Sequence, residues 1–241
     1  MTGKTHRVGG VLSVLSGFLL LDSNGMLLSN ISPAIQLVAM YPFAIYGSTF
    51  SDLDHNWDSS PSKDVVSYVI NKSLHLTTKV VNTLGEDSKV SKVLSIFNAR
   101  HRSWQTHSDL FLFLMVCLCL SLFSSNANMI DVEILRLISS GFTLGVISHL
   151  ILDMITPEGI WSILLVAINK LINIFSHSSR KFRRLRKRKI FTEKLSLVPN
   201  TEFFRTGGTW ETLIRSIMWA VCLILLFKII YNFCPYTISF N

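Results

Sequence analysis

Apolar residues in this chain gather into long runs that charged residues interrupt mainly at the ends. Residues 8–21 are uncharged over 14 positions, short of the roughly 20 that a full helical crossing needs. Lys4 and Arg7 precede them, so the run imitates a signal peptide. It lacks an Ala-x-Ala cleavage pattern, and Asp22-Ser23-Asn24-Gly25 reads as a turn, so a retained helix is expected. Residues 23–51 are uncharged for 29 positions; Pro33 suits the first turn of a helix running to about Phe50, and Pro42 is expected to kink it. Residues 110–130 predict a helix to Phe123 that stops before the polar SSNAN segment. Residues 137–152 belong to a predicted helix from about Asp131 to Met154. Residues 212–233 form the last run, with Arg215 and Lys228 close enough to its ends to snorkel.

A shorter run, 160–175, is broken by Lys170. The excess of Lys and Arg on the inner side of a membrane decides its role. Lys4 and Arg7 place the N-terminus inside, the basic run at 180–189 is also inside, and the loop 22–32 and the tail after Lys228 carry no basic residue. Four crossings before Asp153 already return the chain to the inside, and 160–175 is too short to cross twice. It is therefore expected as an interfacial or re-entrant helix, which leaves five crossings, N-terminus inside and C-terminus outside. Between Ser51 and Asp109 lies a polar stretch whose middle, 63–96, has apolar residues at helix-like spacing. It reads as a cytoplasmic insertion, at about 60–98, lying over the membrane face. The expected fold is a single all-α integral membrane domain over residues 1–241, in a bacterial-type inner (cytoplasmic) membrane.

Composition supports this. Hydrophobic residues make up 49% of the chain and charged residues 16%, against about 25% charged in an ordinary soluble domain. Mean hydropathy is +0.42. Disorder needs the opposite balance, and a soluble globule would lack the charge to cover its surface. The net charge of +8 is local: the segment RKFRRLRKRK, from Arg180 onward to Lys189, holds eight of the 23 basic residues, and the remaining 15 face 15 acidic ones. No nucleic-acid partner is expected. Membrane lipids are, and the basic segment suits contact with anionic lipid as well as a solvated topogenic role. Cys117, Cys119, Cys222 and Cys234 have no zinc-ribbon or CxxC spacing and read as small apolar residues.

The candidate chemistry lies at the ends of the runs. Of seven histidines, five keep company with acids or other polar groups. His6 opens the first run; Asp52-x-Asp54-His55 closes the second; His101 and His107 lie in HRSWQTHS; His149 and Asp153 sit in SHLILD. Under the expected topology all four clusters lie at inner ends, so distant segments reach one depth on one side. Imidazole with carboxylate suits zinc, manganese or iron. His149 and Asp153 are four apart and share a helix face, and the same stripe runs back through Gly145 and Gly141, where small residues let another helix approach. Two close carboxylates at Asp52 and Asp54 repel unless a cation or proton intervenes. Arg102 is of the type that grips phosphate oxygens bidentately. His75 and His177 have no acidic company and read as surface residues.

In this order, the motifs resemble the YdjM family of predicted membrane-bound metal-dependent hydrolases. The shared features are the early His6, the DxDH of Asp52, Asp54 and His55, HRSWQTHS, SHLILDMITPEG and, before the last run, LVPNTEFFRTGGTWETL with Glu211 at an acidic position. Ser51 stands where a Pro precedes the family's DxDH, Asn-Trp-Asp-Ser follows it, and HRSWQTHS is one residue longer than the common form. The resemblance covers most of the chain outside roughly 60–98 and 160–192. It implies one or two divalent ions, zinc or manganese, held by His6, Asp54, His55, His101, His107, His149 and Asp153, and a hydrolytic activity without a stated substrate. A hydrolytic ion acidifies water and polarises a phosphoryl or carbonyl oxygen. Asp52 is then the candidate general base, and Arg102 the candidate partner of a phosphoester or lipid headgroup at the inner membrane interface. Two other readings use the same residues: a metal or proton transporter, whose site belongs near the bilayer midplane, and a non-catalytic membrane protein with a structural metal. Clustering at run ends favours catalysis or structure over transport.

Overall fold

The computed structural model describes residues 1–54, 65–84, 107–124, 130–162, 165–168, 171, 194–197 and 206–233. Six helices carry most of them: α1 (Gly3–Ser23), α2 (Pro33–Phe50), α3 (Val65–Leu84), α4 (Asp109–Ser124), α5 (Ile130–Met154) and α6 (Thr209–Phe233). A 3-10 turn, Ser51–Asp54, continues directly from α2. Val132–Met154 within α5 and the whole of α6 are long and apolar enough to cross a membrane, while α4 is apolar but shorter. A soluble core helix would be wrapped by protein. Instead α6 presents Leu223, Ile224, Phe227 (72% exposed) and Tyr231 outward, a continuous apolar face of the kind that marks contact with lipid or protein.

The chain divides into two compact units. The first comprises Met1–Thr49, Met115–Leu152 and Arg205–Asn241; the second comprises Phe50–Leu114 and Asp153–Phe204.

In the first unit α1 packs along α6. Val11, Val14, Leu15, Phe18, Met40, Ala44, Leu137, Cys222 and Ile229 form its buried apolar core. The expected turn after α1 is present: Gly25 N–H bonds the Asp22 carbonyl at 2.9 Å, and Gly25 takes φ 63°, a left-handed conformation that glycine adopts without a Cβ clash. The loop that follows is held by buried Gln36, whose Nε2 donates to the carbonyls of Leu28 and Ile31, each at 2.7 Å, while its Oε1 accepts from Leu28 N–H at 3.0 Å. Helix α2 runs unbroken through Pro42. The glycine stripe of α5 does bring in a neighbour. A Cβ at Gly141 would meet the carbonyl oxygen of Met40, and one at Gly145 would meet that of Ala44, so α2 and α5 touch backbone to backbone.

In the second unit α3 packs on the Ser51–Asp54 turn. Ile160–Trp161 pairs antiparallel with Lys194–Leu195, Ile160 opposite Leu195. The expected helix over 160–175 therefore starts differently. Its first two residues are extended, because the turn at Gly159 (φ 59°) feeds them onto Leu195, against whose carbonyl any Cβ at Gly159 would clash. Residues 165–168 are helical; the basic segment 180–189 lies outside the described residues.

Candidate metal centre

Five of the sequence-predicted donors are described with their side chains, and all are buried: His6, Asp52, His107, His149 and Asp153. Asp54 ends the 3-10 turn, with its side chain outside the described residues. His55, His101 and Arg102 also lie outside them.

In the first unit, His6 and His149 stack with ring centroids 3.9 Å apart and planes 18° from parallel. His149 Nδ1 lies 2.7 Å from the Ser48 carbonyl oxygen. A carbonyl can only accept, so Nδ1 is the donor, which in the neutral imidazole leaves Nε2 its lone pair. A backbone carbonyl fixing one ring nitrogen so that the other can ligate is the usual outer support of a metal-binding histidine. That bond depends on the close α2–α5 approach at Gly145, since Ser48 is one turn beyond Ala44 on α2.

His6 is placed by a second device. The Thr2 carbonyl accepts His6 N–H at 3.1 Å, which starts α1. Thr2 does not cap the helix with its own side chain. Buried Glu211, in the first turn of α6, does the work instead. Its Oε1 accepts from Thr2 N–H at 2.6 Å and from the hydroxyls of Thr2 and Thr5 at 2.5 Å each; its Oε2 accepts from Gly207 N–H at 2.6 Å. A carboxylate at this point also faces the positive end of the α1 dipole. The sequence showed Glu211 only as an acid ahead of the last run; its partners Thr2 and Thr5, spaced on one helix face, were the available signal.

In the second unit, His107 is fully buried, with its Nε2 3.6 Å from Asp52 Oδ1 and 3.4 Å from Asp153 Oδ2. The next residue, Ser108, fixes His107 by capping α4: its hydroxyl accepts Phe111 N–H at 3.1 Å and its carbonyl accepts Leu112 N–H at 3.2 Å. Asp153 is fixed by the turn that ends α5. Thr156 bonds the Asp153 carbonyl through its N–H (3.0 Å) and its hydroxyl (2.7 Å), and Gly159 N–H closes the turn on Thr156 at 3.1 Å. The Thr-Pro-Glu-Gly of the SHLILDMITPEG motif is thus a stop that holds Asp153 one helical turn beyond His149.

The donor chemistry fits a divalent ion. Nitrogen and oxygen ligands at about 2.1 Å from a tetrahedral ion stand about 3.4 Å from each other. The imidazole–carboxylate separations around His107 match that spacing and exceed the about 2.7–3.2 Å of an N–H···O hydrogen bond. Buried imidazoles and carboxylates of this kind could hold a metal ion.

A family model described as YdjM inner membrane protein matches residues 1–235. No curated protein and no solved structure matches the chain.

Proposed function

We propose, from the premise that this chain belongs to the YdjM inner membrane protein family, that it is a metal-dependent hydrolase acting on a phosphoester or lipid headgroup. The chain is a membrane protein, with two helices apolar and long enough to span. The observation that carries the reading is one buried imidazole, His107, facing two buried carboxylates at metal-ligand spacing. Such a cluster is costly in a membrane protein unless a cation or a proton balances it.

The proposed ligands are His6, His107, His149 and Asp153, with Asp54, His55 and His101 from the neighbouring motifs, around one or two ions of zinc or manganese. A bound divalent ion supplies acidified water and polarises the oxygen of the scissile group. The protein's residues do the rest. Asp52 accepts the proton released by the attacking water, and Arg102 holds the negative charge that develops on a phosphoryl oxygen. A structural metal is the second reading, and metal transport the third. The turns and caps that hold Asp153 and His107 sit at helix ends rather than at helix middles, which favours a fixed centre over a transport path.

The test is elemental analysis of the purified chain, followed by a screen of phospholipids and phosphoesters with and without a chelator. Stoichiometric zinc or manganese together with chelator-sensitive hydrolysis is expected. Metal without hydrolysis of any phosphoester leaves the structural reading, and no metal at all overturns both.

We also propose five crossings with the N-terminus inside, on the charge-poor outer loops and the basic inner segment. Reporter fusions at Lys189 and at Asn241 are expected on opposite sides of the membrane. The same side for both would require residues 160–175 to cross.

A further inference from the structure

Helix α3 has a face that the metal centre does not use. Its inner side carries Asn71, 1% exposed, and rests on the Ser51–Asp54 turn. Around the helix from Asn71, Val65 (78% exposed), Val69, Leu76 (62%) and Val80 stand outward. At 100° per residue these four fall within about 60° of arc, one stripe from Val65 to Val80. Lys72 and Lys79 lie along the edge of the stripe, both exposed, with Lys72 over the Tyr68 ring at 5.5 Å. Between residues 65 and 84 there is no Asp or Glu.

About four turns of helix with an exposed aliphatic stripe edged by lysine are poorly suited to water. A partner must be apolar along the stripe and negative beside it. A protein groove could supply the first property; an anionic bilayer surface supplies both. The chain belongs to a family of inner membrane proteins, and α5 and α6 are long and apolar enough to span a bilayer. A helix with an apolar stripe, a cationic edge and no acid lies in the plane of such an interface, with its aliphatic side chains below the headgroups and its lysines snorkelling to the phosphates.

We propose that α3 is an interfacial helix whose stripe from Val65 to Val80 is seated in the headgroup layer of an anionic bilayer. This does not depend on the metal reading. It does give the turn that carries Asp52 a lipid-facing support, because α3 is what packs on that turn.

The experiment uses the full chain with its four cysteines replaced by serine and a nitroxide attached through Leu76→Cys or Val69→Cys. The protein is reconstituted in phosphatidylcholine vesicles containing phosphatidylglycerol. Collision with oxygen, which concentrates in lipid, is expected to exceed collision with a water-soluble nickel chelate several-fold at both positions. In the background of Lys72→Glu and Lys79→Glu, that ratio is expected to fall several-fold. Nickel contact equal to that of a free spin label would overturn the proposal by placing the stripe in water. Exclusion of both reagents would overturn it too, by placing the stripe under protein, and disulfide capture between two Leu76→Cys chains would identify that protein as a second copy.

Discussion

Replacing Asp153 with Ala is expected to remove bound metal and abolish hydrolysis together. The carboxylate is buried and 3.4 Å from His107 Nε2. A tetrahedral ion that loses one of its few protein ligands loses most of its affinity. The fold tolerates the change, because Thr156 holds residue 153 through its backbone carbonyl, which Ala keeps. Two further variants order the roles. Arg102→Ala is expected to retain the metal and lower turnover by roughly 10²–10³, the cost of deleting one donor to a developing oxyanion. Asp52→Asn retains the metal and loses turnover if Asp52 is the base, and loses the metal if Asp52 is a ligand. Elemental analysis and initial rates on the same preparations separate these outcomes. Full metal occupancy and full activity in Asp153→Ala would refute the catalytic assignment.

The second large effect is expected far from any donor atom. In Gly145→Ala the added carbon would overlap the Ala44 carbonyl oxygen and lie 2.7 Å from Ser48 N and 2.9 Å from Ala44 C. All three are backbone atoms, so no side chain can swing away and α2 must move off α5. Overpacking costs about 1–3 kcal/mol where side chains absorb it; here the upper part of that range or more is expected. The displacement also pulls the Ser48 carbonyl from His149 Nδ1, an outer support whose loss weakens metal binding by roughly 10–100-fold. Thermal unfolding in detergent and metal titration should therefore both shift. Gly25→Ala is the control. Nothing lies within 4 Å of its added carbon and only its φ of 63° is strained, so it should cost about 1 kcal/mol and leave metal affinity unchanged. Equal metal affinity in Gly145→Ala and wild type would separate the helix contact from the centre.

Much of this arrangement was legible in the chain. Helices α1, α2, α4, α5 and α6 follow from uncharged runs, because apolar surroundings exclude charge from a span, and Pro33 and Phe50 bound α2 as its start signal and its polar successor indicated. The turn at Gly25 and the close approach at Gly141 and Gly145 follow from residue size alone. The His149–Asp153 pair follows from helical period. What was not legible depends on backbone atoms or on distant partners. The Ser48 carbonyl is chemically the same as any other carbonyl, and only the crossing of α2 and α5 selects it. The pairing of Ile160–Trp161 with Lys194–Leu195 joins two dipeptides with no alternating pattern of their own, so a short apolar run read as helix begins as strand. Of the five expected crossings, α5 and α6 have the length and hydropathy to span. Lys4, His6 and Arg7 within α1, and Gln36, Ser48 and Thr49 within α2, lower the apolar character of those two helices.

Glu211 has a consequence in time. The carboxylate that gathers Thr2 and Thr5 is 209 residues downstream of Thr2, so the ribosome makes the first helix almost an entire chain before the group that seats it. Until α6 is synthesised, the entry to α1 lacks the acceptor for the Thr2 backbone N–H and for the hydroxyls of Thr2 and Thr5. The anchoring of the first helix on the last thus comes late in synthesis, and a chain ended before Glu211 presents α1 without that anchor.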